Sequence, residues 1–100
     1  MSDVETVPAA EWSDWVERHD GLVVDVREPL EWGLGTLPDA LRISMSELVE
    51  KMDDLPRDRA ILFVCRSGSR SHQVAQFLKL SGFQRVANME GGMKALGMQD

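Results

Sequence analysis

The stretch that most constrains this chain runs Ile61-Leu62-Phe63-Val64-Cys65-Arg66-Ser67-Gly68-Ser69-Arg70-Ser71. Four apolar residues in a row, bounded by polar ones, predict a buried strand. That strand delivers the chain's only cysteine into a polar loop with one glycine and two arginines. Beyond Ser71 the apolar residues Val74, Phe77 and Leu78 recur at helical spacing, so the loop empties into the N-terminus of an amphipathic helix. Cys65 is therefore expected where backbone N–H groups lack intrahelical partners. Those donors and the positive end of the helix dipole favour an anion, and Arg66 and Arg70 add formal charge. A thiol placed there should ionise, and the thiolate is the nucleophilic form. The rival reading is a small buried hydrophobe, the usual fate of a lone cysteine after an apolar run. Gly68, which permits close backbone approach, and the small polar Ser67, Ser69 and Ser71 argue for a ligand cradle, which a structural cysteine does not need.

The segment Cys65 to Ser71 resembles the C-R-x-G-x-R-S active-site loop of the rhodanese-like sulfurtransferases. Upstream, Leu22-Val23-Val24-Asp25-Val26-Arg27-Glu28 is similar to that family's L-x-D-V-R-E signature. Downstream, Gly82-Phe83, Val86 and Glu90-Gly91-Gly92 resemble its G-F…V…G-G close. The three motifs fall in the family's order and span about Leu22 to Met93. Two departures stand out. Gly35-Thr36-Leu37-Pro38-Asp39-Ala40 replaces the family's G-H-I-P-G-A, so the turn there is expected to differ, and Leu96 lies where the family places tryptophan, suggesting a lighter C-terminal closure.

Composition agrees with this reading. One hundred residues with 43% hydrophobic content suit one compact domain, which the resemblance implies is a single rhodanese-like domain over residues 1–100. The acidic start Met1-Ser2-Asp3-Val4-Glu5 lacks the regions of a signal peptide, and no apolar run approaches a membrane span, which points to the cytoplasm. A lone thiol fits a reducing compartment. A net charge of −6 argues against nucleic acid or an anionic membrane as partner.

In chain order, Val4 to Val7 reads as an edge strand. A helix with Pro8 in its first turn follows, and Trp12, Trp15, Val16 and His19 share its inner face until Gly21 ends it. The tryptophans read as core rather than as a ligand stack. Leu22 to Val26 is a strand buried on both faces with Asp25 near its C-terminal end, where open α/β sheets bind ligands. Pro29 begins a short turn or helix carrying Glu31 and Trp32. Leu41 to Ile43 is a short strand, and Ser44 and Glu47 offer a capping box to a helix whose apolar face is Leu48, Met52 and Leu55. Pro56-Arg57-Asp58-Arg59 reads as a solvated turn. Ser81-Gly82 closes the helix after the cysteine, Arg85 to Met89 forms a last strand, Gly91-Gly92 turns the backbone tightly, and Met93 to Met98 offers a short terminal helix.

This alternation predicts an α/β domain with a mainly parallel sheet covered on both faces. The resemblance implies five strands with the cysteine loop after the fourth. It also implies a sulfurtransferase in which Cys65 takes sulfane sulfur from a donor such as thiosulfate as a persulfide. The sulfur then passes to cyanide, a small thiol or a protein thiol, with no cofactor or metal. Backbone N–H groups from Arg66 to Ser71 would stabilise the sulfur anion. Arg66 would meet the donor's charge. Arg70 would either do the same or turn inward against Asp25, and Arg27 and Glu31 would form either a supporting pair or a surface salt bridge. Three rivals remain. A cysteine phosphatase or arsenate reductase spaces cysteine and arginine as C-x5-R, whereas Cys65 and Arg70 give C-x4-R, a smaller loop. A hydrolase pairing Cys65 with His72 would need a histidine that is instead expected to face solvent. The third is a non-enzymatic interaction or sulfur-relay module of the same fold; an intact Cys65 counts against a pure interaction module.

Overall fold

The computed structural model describes residues 4–99. Five strands form one parallel sheet: β1 (Glu5–Pro8), β2 (Leu22–Asp25), β3 (Leu41–Arg42), β4 (Ile61–Val64) and β5 (Val86–Glu90), in the order β1-β5-β4-β2-β3. Among the described residues five α-helices connect or follow them: α1 (Trp12–His19), α2 (Pro29–Trp32), α3 (Leu48–Lys51), α4 (Ser69–Leu80) and α5 (Gly92–Ala95). The mainly parallel α/β sheet expected from the apolar runs is thus present, with Val4 to Val7 shifted by one residue to make the edge strand β1. Among the described residues no helix is long and apolar enough to cross a membrane.

Every residue of β4 is buried because both faces of the central strand are covered. Period-two alternation sends Ile61, Phe63 and Cys65 to a core shared with Leu48, Leu55, Val74, Ala75 and Leu78 under α3 and α4. Leu62 and Val64 go to the opposite core with Trp15, Ala87, Met89 and Met93 under α1 and α5. Full burial of side chains of this size contributes roughly 1.5–3 kcal/mol each, so β4 is firmly held where it hands the chain to the cysteine. The register Val24↔Phe63 and Asp25↔Val64 sets the C-terminal ends of β2 and β4 side by side. From there the chain leaves β2 toward β3 on one side and β4 toward β5 on the other. Cys65 thus lies at the topological switch point of the sheet.

Several local expectations need correction. Pro8 ends β1, and a 3-10 turn over Ala9–Glu11 separates it from α1. Asp20, not Gly21, supplies the left-handed cap of α1, with φ 50°. Gly21 is instead where the backbone passes close to Trp15, whose ring a Cβ there would meet at 3.0 Å. Trp15 is buried as core, and His19 tilts against it with ring centroids 4.9 Å apart. Ser44 and Glu47 do not form a capping box: the Ser44 hydroxyl donates to the Glu47 carboxylate, and a 3-10 turn over Met45–Glu47 precedes α3. Phe77 is exposed, and the buried face of α4 is Ser71, Val74, Ala75 and Leu78. The Pro56–Arg59 turn is more than solvated, since Arg57 lies over the Phe83 ring at 4.8 Å and Arg59 donates to the Asp20 carbonyl. Asp39, at the position of the glycine in the G-H-I-P-G-A pattern, adopts φ 60°, in the left-handed region. A non-glycine residue there carries the steric cost of a Cβ in that region.

Candidate active site

Cys65 is fully buried at the end of β4, with its Sγ against the first turn of α4. Gly68, the N-cap of α4, has φ 101° and donates its N–H to Sγ at 3.1 Å. A Cβ on Gly68 would stand 3.3 Å from the Met89 carbonyl, so both the conformation and the close approach to β5 favour glycine. Ser71 donates its N–H to the sulfur at 3.4 Å and sets its hydroxyl 3.3 Å from it, within donating reach. Burial pushes the thiol up, as desolvation must. The hydrogen bonds from the Ser71 hydroxyl and from the N–H groups of Ser71, Gly68 and Ser67 outweigh it and leave the thiol below its ordinary value. These donors are the main favourable contributions. The expectation from the sequence puts the charges of Arg66 and Arg70 beside them.

The loop is clamped from below by the turn that follows β5. Met93 N–H donates to the Cys65 carbonyl and Lys94 N–H to the Arg66 carbonyl, each at 2.9 Å. Gly92, at φ 62°, makes this contact feasible, because a Cβ there would lie 2.3 Å from the Arg66 carbonyl oxygen. The Gly91-Gly92 pair thus holds the Cys65 loop as well as turning the chain.

The charged residues pair differently from the expectation. Arg70 does not brace against Asp25; it makes a two-pronged ion pair with Glu31, both N–O distances 2.8 Å. Arg27, expected opposite Glu31, lies fully buried against Asp25, with Nη2 2.7 Å and Nε 3.0 Å from the carboxylate oxygens. Its remaining donors reach the carbonyls of Gly35 and Glu31 and the Gln99 side chain. The physical reason is geometric. Arg27 follows a buried strand end, where an unpaired carboxylate is costly, whereas Glu31 lies one helical turn further on, at the surface that α4 faces. Gln99 donates in turn to Glu31 at 2.7 Å, linking the two pairs, a role for which the sequence held no local signal. Arg66, Ser67 and Ser69 are exposed around the loop rim, and Arg70 is half-buried.

The Arg70 hydrogen bonds hold the Glu31 carboxyl down at about 2 against burial, with Gln99 and the Glu28 N–H assisting. A carboxyl lowered on folding stabilises the protein above its unfolded value of 4.5, and that contribution is lost as pH falls toward about 2. Glu31→Gln should therefore be less stable than wild type at neutral pH. The difference should close between pH 4.5 and about 2 in urea titrations run across that window; a difference that stays constant would show that the pair adds nothing.

A family model described as Rhodanese-like domain matches residues 8–99. A sulfurtransferase of Allochromatium vinosum is 40% identical over 79 residues, covering 79% of this chain and 74% of its own. A putative sulfurtransferase of Bacillus subtilis, YtwF, is 38% identical over 94 residues, covering 93% and 90%. Among solved structures, a rhodanese-like domain protein of Staphylococcus aureus superposes with a TM-score of 0.82 at 29% identity, covering 92% of this chain and 90% of that one. With a buried thiol cradled at a helix N-terminus on this sheet, and with these matches along nearly its whole length, the chain belongs to the rhodanese-like domain family.

Proposed function

We propose that this protein is a sulfurtransferase that carries sulfane sulfur on Cys65. The observation that carries the reading is the set of donors converging on Sγ from Gly68 and Ser71. The Cys65 thiolate attacks the outer sulfur of a donor such as thiosulfate. The donor's S–S bond breaks, sulfite leaves with the bonding pair, and a persulfide anion remains on the enzyme. An acceptor, which is cyanide, a small thiol or a protein thiol, then takes the outer sulfur and returns Cys65 to the thiolate. The N–H groups of the loop stabilise the negative sulfur as an oxyanion hole stabilises oxygen. Arg66, exposed at the rim, meets the incoming donor's charge, with Ser67 and Ser69 beside it. Arg70 braces the loop through Glu31, while Asp25 and Arg27 hold the floor. The relatives named as sulfurtransferases support the reaction class. The lone thiol fits work in the reducing cytoplasm.

The phosphatase reading loses ground for a reason beyond loop length. Its arginine must face the phosphate, and Arg70 is committed to Glu31. Purified protein should turn over thiosulfate and cyanide while leaving an aryl phosphate untouched. Aryl phosphate hydrolysis without sulfur transfer would overturn the assignment, and inertness toward a broad panel of sulfur donors would favour an interaction module.

A further inference from the structure

Asn88 is a buried polar residue on β5, 7% exposed, whose neighbours Val86, Ala87 and Met89 are apolar. Its carboxamide oxygen lies 2.5 Å from the Ser71 hydroxyl oxygen. The same hydroxyl is 3.3 Å from Cys65 Sγ. The amide nitrogen faces the other part of the cradle, 3.6 Å from where a Cβ on Gly68 would sit. Three side chains from three elements therefore form a row, Asn88 to Ser71 to Cys65.

That row carries a constraint, because a hydroxyl has one proton to give. With the amide oxygen toward Ser71, the proton goes to Asn88, and Ser71 can only accept from a Cys65 thiol. With the NH2 group toward Ser71, the hydroxyl accepts from Asn88 and its proton goes to the sulfur. Only the second arrangement gives an anionic sulfur this hydrogen bond. A half-turn of the carboxamide exchanges its oxygen and nitrogen with little movement of the other heavy atoms. The 2.5 Å contact suits the oxygen, and a lengthening of a few tenths of an ångström brings the NH2 group into N–H···O range. We propose that Asn88 is a positioning residue for Cys65, accepting from Ser71 while the sulfur is a thiol and donating to Ser71 once the sulfur is an anion. The inference rests on the reading of Cys65 as the nucleophile. The charged groups around the row are Arg66 and Arg70 with Glu31 opposite, the Asp25–Arg27 pair at the end of β2, and the exposed Glu90 and Lys94 beside the β5–α5 turn. Substituting Asn88 by an uncharged residue alters none of them.

The test is the rate of Cys65 alkylation against pH, with thiolate absorbance as a second readout, in Asn88→Leu, Ser71→Ala and the double variant. Asn88→Leu removes a partner of the hydroxyl in both states, but the row that ends on an anionic sulfur is the charge-assisted and stronger one. The thiol midpoint should therefore rise by ~0.5–1 unit, slowing alkylation below the midpoint by ~3–10-fold. In the Ser71→Ala background the same change should add nothing, because the effect passes through the hydroxyl. A midpoint for Asn88→Leu at or below that of wild type, or a shift that survives without Ser71, overturns the inference. Should Asn88→Leu fail to fold, Asn88→Asp keeps the shape. Its ionised carboxylate can only accept and also repels the thiolate directly, so the midpoint should rise more with Ser71 present than in the Ser71→Ala background, where the charge acts alone. Equal rises in the two backgrounds also overturn the inference. The titration needs no sulfur donor, so a chain that follows this pattern yet forms no persulfide would refute the proposed activity and leave the role of Asn88 standing.

Discussion

Cys65→Ser should lose sulfur transfer by a factor of at least ~10³ while keeping its fold. The loss follows from chemistry, because a serine hydroxyl at neutral pH is neither ionised nor able to form a persulfide, and no other cysteine exists to replace it. Retention of the fold follows from the surroundings. The site is fully buried, where a new hydroxyl would ordinarily be penalised. Here the Gly68 and Ser71 N–H groups already point at the position, so the oxygen finds donors in place of the sulfur. Thermal unfolding within a few degrees of wild type, together with no detectable turnover, is the expected pair of results. Undiminished turnover would remove Cys65 from the mechanism.

The largest expected loss of stability belongs to Arg27→Ala, at about 3–5 kcal/mol. The truncation leaves the Asp25 carboxylate fully buried without its counter-charge and strips the Gly35 and Glu31 carbonyls of donors. Arg27→Lys should fare little better. A single ammonium cannot span the Asp25 carboxylate, the Gly35 carbonyl and Gln99 as the planar fork does. Removing both charges together, as Asp25→Leu with Arg27→Met, should cost much less than the sum of the single changes, since neither charge is then left alone. Urea denaturation of the four proteins measures this cycle, and simple additivity would show that the pair does not act as a unit.

These residues also show what could be read from the sequence. The β4 run, the loop after it, and the strand ending in Asp25 were legible because burial on both faces forces an uninterrupted apolar string. The glycines at 68 and 92 were legible as punctuation, although the reason for Gly92, the approach of its backbone to the Arg66 carbonyl, is a contact between segments far apart in the chain. Partner choice was not legible. Arg27, Asp25, Glu31 and Arg70 were all recognisable as candidates. Which arginine takes which carboxylate depends on the fold bringing Glu31 and Arg70 together from distant parts of the chain, and no local spacing encodes that. Phe77 was misplaced for a related reason: three apolar residues fit a helical stripe, yet the face α4 buries is fixed by Ser71 and Ala75, which the pattern passes over. Asn88 gave no signal at all, since one polar residue in an apolar strand resembles an ordinary sheet residue until Ser71 is seen beside it.

The most direct measurement is intact mass. Purified protein treated with thiosulfate should gain one sulfur atom, located at Cys65 by peptide mapping, and lose it on addition of cyanide or a thiol acceptor. An unchanged mass across a panel of sulfur donors, with Cys65 reduced and the fold intact, would contradict the account.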